Sequence, residues 1–116
     1  MKKILIIDDE PKIQEYLVDL FEDNGYATAS AINVQEALEI VSSETFDLIT
    51  LDLDMPGEWG PRFYSKIAQD KSLKNIPVIV ISGMSDNDYA VSKAVASLTK
   101  PFDRKELLKI VRDVLN

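Results

Sequence analysis

The chain of 116 residues contains no cysteine and no histidine. The first absence excludes disulfides and thiol nucleophiles, the second imidazole bases and phosphohistidine chemistry. Whatever this protein does must run on carboxylates, hydroxyls and amines. A long hydrophobic run is missing as well: Met1-Lys2-Lys3 makes a basic start, but the apolar stretch behind it, Ile4-Leu5-Ile6-Ile7, is too short for a signal peptide or a membrane span. The expected setting is the cytoplasm. Positive charge is in deficit, with 13 Lys+Arg against 20 Asp+Glu and a formal net charge of −7. Such a chain gains nothing from the field of a nucleic acid or an anionic bilayer, so neither is an expected partner. No repeat, low-complexity tract or linker interrupts the sequence, and its length suits one domain over residues 1–116.

What is present is a series of apolar runs that each end in a polar group. Ile4-Leu5-Ile6-Ile7 leads into Asp8-Asp9, Leu48-Ile49-Thr50-Leu51 into Asp52, and Val78-Ile79-Val80-Ile81 into Ser82, while Lys100 stands just before Pro101. Two weaker strand patterns cover Tyr26 to Ser30 and Ser97-Leu98-Thr99. Helical patterns alternate with these runs. Pro11 suits a first helical position, Ile13, Tyr16, Leu17, Leu20 and Phe21 repeat at helical spacing, and Asn24-Gly25 supplies a stop. Asn33 with Glu36 resembles a capping box before Val34, Ala37, Leu38 and Val41, and Asp103 with Glu106 another before Leu107, Leu108, Val111, Val114 and Leu115. A third helix is expected from Arg62 to about Ser72, behind a loop bracketed by Pro56-Gly57 and Gly60-Pro61, and a short fourth from Ser85 to about Val95.

Five strand–helix pairs with near-continuous apolar strands predict an α/β fold with a doubly wound, five-stranded parallel sheet covered on both faces. In the flavodoxin-like (βα)5 order 2-1-3-4-5, the switch point lies between the first and third strands, so Asp8-Asp9 and Asp52 face each other at the carboxyl edge, where ligands bind in open α/β sheets. Three close carboxylates either raise a pKa or bind a cation. An all-oxygen ligand set suits Mg²⁺ with a phosphate oxygen better than zinc. With charge so neutralised, Asp52 is a candidate carboxylate nucleophile toward a phosphoryl donor, Lys100 a candidate phosphoryl-oxygen ligand, and Ser82 a candidate hydroxyl donor. Simpler roles exist for each residue singly: Asp8-Asp9-Glu10 as a turn capping the first helix, Asp52 as a turn cap, Ser82-Gly83 as a turn, Lys100 as a surface lysine. Their joint position at strand ends favours the functional reading.

Ile7-Asp8-Asp9-Glu10, Asp52-x-x-Met55-Pro56-Gly57 with Gly60, Val80-Ile81-Ser82, and Thr99-Lys100-Pro101-Phe102, in that order, resemble the receiver domain of bacterial response regulators over essentially the whole chain. The resemblance implies that Asp52 is the phosphoacceptor, that Asp9 binds Mg²⁺ directly and Asp8 mainly through water, and that the carbonyl of Asp54 is a further metal contact whose side chain tunes the acyl-phosphate lifetime. It also implies a cis Lys100–Pro101 bond that aims the ammonium into the pocket. The implied function is a phosphorylation-dependent switch that takes phosphate from a sensor histidine kinase or phosphotransfer protein and acts on a downstream protein. Such a domain catalyses its own phosphotransfer and slow dephosphorylation, as a monomer or weak homodimer. Two departures stand out. Ser97 occupies the place of the usual aromatic switch residue, and Ser82 and Lys100 lie closer together than the family pattern, with the Gly-Ala before the fifth strand missing. Both fall on the face of the fourth helix, fifth strand and fifth helix, which implies a remodelled output surface. Trp59, in the loop after Asp52, is expected to pack rather than bind. The alternatives are a receiver-fold interaction module that takes no phosphate, and a phosphatase of the haloacid dehalogenase type suggested by Asp52-Leu53-Asp54. In that phosphatase type the motif follows the first strand and an acidic pair lies downstream, whereas Asp8-Asp9 lies upstream here.

Overall fold

The computed structural model describes residues 1–52, 65, 69, 75–82 and 96–116. Strands β1 (Lys3–Ile7), β2 (Ala27–Ala31), β3 (Leu48–Asp52), β4 (Val78–Ser82) and β5 (Ala96–Thr99) form one sheet in the order β2-β1-β3-β4-β5. Every pairing is parallel, which is the architecture the apolar runs predict. Three helices are delimited among the described residues, α1 (Pro11–Glu22), α2 (Val34–Ser43) and α3 (Arg104–Leu115). Ser65 and Gln69 are also helical and exposed, one turn apart within the helix expected from Arg62. The rest of that helix, the loops around Pro56-Gly57 and Gly60-Pro61, Trp59, and the helix expected from Ser85 lie outside the described residues.

Side chains alternate across each strand, and the alternation divides the core into two layers. Leu5, Ile7, Ile49, Leu51, Val78 and Val80 pack with Ala37 and Val41 of α2 on one face. Ile4, Ile6, Leu48, Ile79 and Ile81 pack with Leu17 and Phe21 of α1 and Leu107, Val111 and Leu115 of α3 on the other. All of β3 is buried, as a central strand covered on both faces must be. Each aliphatic side chain so enclosed contributes roughly 1.5–3 kcal/mol of transfer free energy, and this layer holds the polar strand ends at one edge.

Local signals are met with small, explicable shifts. Pro11 opens α1. Tyr26, expected in the second strand, donates its N–H to Phe21 O at 3.1 Å and so closes the helix turn, while Ala27 starts the ladder by donating to Lys2 O. The strand therefore runs one residue later and ends at Ala31. Tyr16 departs from its stripe: it is 42% exposed, its ring tilted against Phe102 with centroids 6.3 Å apart, whereas Leu17 and Phe21 are buried. Asn33 caps α2 by accepting from Glu36 N at 2.8 Å, but Glu36 reaches back to the N–H of Ile32 rather than of Asn33. At α3, Asp103 accepts from Lys105 N, one residue short of the Glu106 amide that a capping box would use.

Candidate functional site

The register Ile7↔Leu51 between β1 and β3 sets the residue after β1, Asp8, beside the last residue of β3, Asp52. Both carboxylates belong to the alternation that buries Ile4, Ile6 and Leu48, and both are 2% exposed. Lys100, just beyond β5, reaches over β4 to place Nζ 3.2 Å from Asp52 Oδ1, 3.9 Å from Asp8 Oδ2 and 4.0 Å from Glu10 Oε1. The peptide between Lys100 and Pro101 is cis, the isomer the receiver-domain resemblance implies. Three groups far apart in sequence thus converge at the carboxyl edge of the sheet.

Burial governs the electrostatics of this cluster. The Asp8 carboxyl is pushed up from 3.8 to about 6, foremost by loss of solvent. The N–H of Glu10, donating to Asp8 Oδ1 at 2.8 Å, opposes that rise; the charge of Asp52 adds to it, Lys100 lowers it, and Glu10 raises it again. Asp8, Asp9 and Glu10 each offer a carboxylate oxygen within 4.8 Å of the others. With Asp52 these make four acids around one ammonium, that of Lys100, among the described residues, a formal charge of three negative that a divalent cation reduces to one negative. Hard oxygen donors and two desolvated carboxylates fit Mg²⁺.

The helix-cap alternative for the acidic run finds no support, because Glu10, at the N-cap of α1, makes no side-chain capping bond, and Asp8 takes the Glu10 amide for itself. Of the residues singled out from sequence, Asp8, Asp9, Asp52 and Lys100 are brought to one edge. Ser82 ends β4 in register with Thr99, next to Lys100. Asp54 lies outside the described residues. Two residues were not given a site role from sequence. Glu10 is one, its carboxylate joining the cluster. Gln14 is the other: its Nε2 donates to Asp8 O at 2.8 Å and to Ala31 O at 2.7 Å. The one sequence signal for it is an amide in the first turn of an amphipathic helix that leaves an acidic loop.

Comparison with known proteins places this geometry. The response regulator receiver domain description matches residues 4–112. Protein Rrf1 of Nitratidesulfovibrio vulgaris is 37% identical over 109 residues, 94% of this chain and 79% of Rrf1. Sporulation initiation phosphotransferase F of Bacillus subtilis is 36% identical over 118 residues, 98% of this chain and 94% of that protein. The chain spans 52% of the phosphate regulon transcriptional regulatory protein PhoB of Pseudomonas aeruginosa. Among solved structures, response regulator TrrA of Thermotoga maritima in complex with Mg²⁺-BeF superposes with a TM-score of 0.89 at 34% identity, over 99% of this chain and 100% of TrrA. TrrA has also been solved in complex with histidine kinase ThkA, where the TM-score is 0.88 at 33% identity, over the whole of both chains.

Proposed function

The chain belongs to the response regulator receiver domain family of two-component systems, and from that premise we propose that it is a phosphorylation-dependent switch whose phosphoacceptor is Asp52. The observation that carries this reading is the convergence of Lys100 Nζ on Asp52 Oδ1 and Asp8 Oδ2 at 3.2 and 3.9 Å. The donor is a sensor histidine kinase or a phosphotransfer protein, a reading supported by the complex of TrrA with its kinase. Asp9, Asp52 and the carbonyl of Asp54, with Asp8 mainly through water, would hold Mg²⁺, which when bound would offset most of the charge of the acidic cluster and the phosphoryl oxygens.

Asp52 enters ionised, so no base is needed to activate it, which suits a chain without histidine. One of its oxygens forms a bond to phosphorus as the donor's N–P bond, or the O–P bond of a small donor, breaks; the electron pair leaves with the donor. In the return reaction water bonds to phosphorus and Asp52 departs as carboxylate. Lys100, paired with Asp52 before transfer, moves to a phosphoryl oxygen afterwards, and the Ser82 hydroxyl donates to another. The chain thereby catalyses its own phosphorylation and slow dephosphorylation.

Intact mass after incubation with Mg²⁺ and acetyl phosphate tests this. One phosphoryl adduct on the wild type, absent in Asp52→Asn and in chelator, is expected. No adduct from acetyl phosphate or from an active kinase would instead favour the interaction module. The phosphatase reading loses its ground with the family assignment, and turnover of a phosphomonoester is not expected.

Signal leaves, in this reading, through a remodelled face formed by the fourth helix, β5 and the C-terminal helix, toward a downstream protein. Support comes from Ser97 in β5, where receivers usually carry an aromatic, and from the short span between Ser82 and Lys100. Reordering of residues 85–96 takes the place of aromatic rotation. Amide exchange there that does not change on phosphorylation would sink this part alone. We place the domain in the cytoplasm, as a monomer or weak homodimer; no helix among the described residues is long and apolar enough to cross a membrane.

A further inference from the structure

We infer that Gln14 is a positioning residue for the acidic loop: its side-chain amide, bonded to the carbonyls of Asp8 and Ala31, sets the affinity with which Asp8 and Asp9 hold a divalent cation. The inference rests on the metal-dependent reading of the pocket. Asp8-Asp9-Glu10 places three acids in succession, and like charges with oxygens within 4.8 Å of one another repel each other and push the loop open. The backbone must hold that loop against its own charge.

The described bonds show how. Asp8 N donates to Ala31 O at 3.1 Å, extending the β1–β2 ladder by one rung. Gln14, in the first turn of α1, donates from Nε2 to that same Ala31 O at 2.7 Å and to Asp8 O at 2.8 Å. One amide therefore ties the helix, the end of β2 and the carbonyl of the first metal-binding acid into a single unit. The assignment of its nitrogen is chemical, since both neighbours are carbonyl oxygens and the flipped amide would set an oxygen against two oxygens. Both lone pairs of Ala31 O are engaged, one by Asp8 N–H and one by Gln14. Removing the amide leaves Asp8 O without its bond and frees the loop to spread, so the acids lose the separation a cation requires. Partners behind metal ligands act in this way by fixing orientation, and their loss costs about 10–100-fold in metal affinity.

A merely structural amide would do something else. It would lower stability without altering affinity, as Asn24 should at the other end of the same helix, where its Nδ2 donates to Leu20 O at 2.7 Å. The test compares wild type, Gln14→Met, Asn24→Ala and Asp52→Asn by calorimetric titration with Mg²⁺ alone, far below each melting temperature, alongside melting without metal and hydrogen exchange at the Asp8 amide. Gln14→Met is expected to weaken Mg²⁺ binding by about tenfold or more and to speed exchange at Asp8. Asn24→Ala is expected to lower the melting temperature with the dissociation constant unchanged. A Gln14→Met protein that melts lower yet binds Mg²⁺ as tightly as wild type overturns the inference and leaves the functional reading standing. A wild type whose Mg²⁺ binding does not depend on Asp52 overturns both. Should Gln14→Met fail to fold, Gln14→Ala makes the same comparison, because it removes the donors and adds no volume.

Discussion

Asp8 and Thr50 show what single buried polar residues cost the folded chain. Asp8 binds its proton more tightly in the folded protein, with its carboxyl at about 6 against 3.8. Its titration therefore favours the native state below about pH 4, and that contribution is lost as pH rises through about 6. At about 1.4 kcal/mol per pH unit the loss is on the order of 3 kcal/mol. Asp8→Asn keeps an oxygen for the Glu10 amide and removes the charge. In metal-free thermal melts it is expected to be more stable than wild type at pH 7.5, the advantage shrinking toward pH 4; equal melting temperatures across that range would refute the argument. Thr50 is 1% exposed, and its Oγ1 has no hydrogen-bond partner among the described residues. Its neighbours in register are Ile6 and Ile79, so the hydroxyl is desolvated between aliphatic strands. Thr50→Val, equal in shape, is expected to stabilise by about 1–2 kcal/mol in urea unfolding, with the Asp52 adduct unaffected. Asp8, Asp52 and Lys100 were legible as residues because carboxylates and amines after apolar runs are conspicuous. Gln14 and Thr50 were not, because their importance lies in which backbone or strand they meet: Gln14 joins the nearby Asp8 carbonyl to that of Ala31 on another strand, and Thr50 lies between Ile6 and Ile79.

Helix ends are where the sequence speaks most directly, because caps join residues only a few positions apart. Asn33 satisfies the Glu36 amide, and Asn33→Ala is expected to cost about 1 kcal/mol of unfolding free energy. Gly25 carries φ of +89° with nothing within 4 Å of an added Cβ. Gly25→Ala is therefore penalised by backbone conformation alone, about 1 kcal/mol. Since Gly25 precedes β2, at the sheet edge remote from Asp52, Mg²⁺ affinity should not change; a shift in affinity would show coupling across the sheet that the contacts do not suggest. Element bounds were harder to read than element identity. Tyr26 has an aromatic's preference for a strand, yet its N–H is taken by Phe21 O five residues back, so the local closure of the helix end overrides propensity.

For the molecule as a whole, metal binding and stability are one equilibrium. Mg²⁺ that binds the folded pocket and not the open chain stabilises by about 2.7 kcal/mol at a concentration 100 times its dissociation constant. In the proposed site, protonation of Asp8 would compete with the cation, so this stabilisation is expected to shrink as pH falls from 7.5 through about 6 and to vanish in Asp52→Asn combined with Asp8→Asn. Melting with and without Mg²⁺ across that range checks both statements. A Mg²⁺ effect that grows on acidification would contradict the assignment of Asp8 to the metal site.

Linear order and composition were enough for the class of fold and the class of chemistry. Apolar runs of strand length alternating with amphipathic helices leave a doubly wound parallel sheet as the way to bury both faces, and a chain without cysteine or histidine leaves oxygen and amine chemistry. Those are properties of composition and short-range period, which a linear reading contains. The strand order read from those runs also set Asp8 beside Asp52. The folded chain added distance and enclosure: it buried both carboxylates, brought Lys100 across β4 to 3.2 Å from Asp52 Oδ1, and gave the Asp8 backbone its clamp from Gln14. Burial, distance and the sharing of one carbonyl by two donors depend on where the chain returns to itself, and no local pattern of residues encodes that.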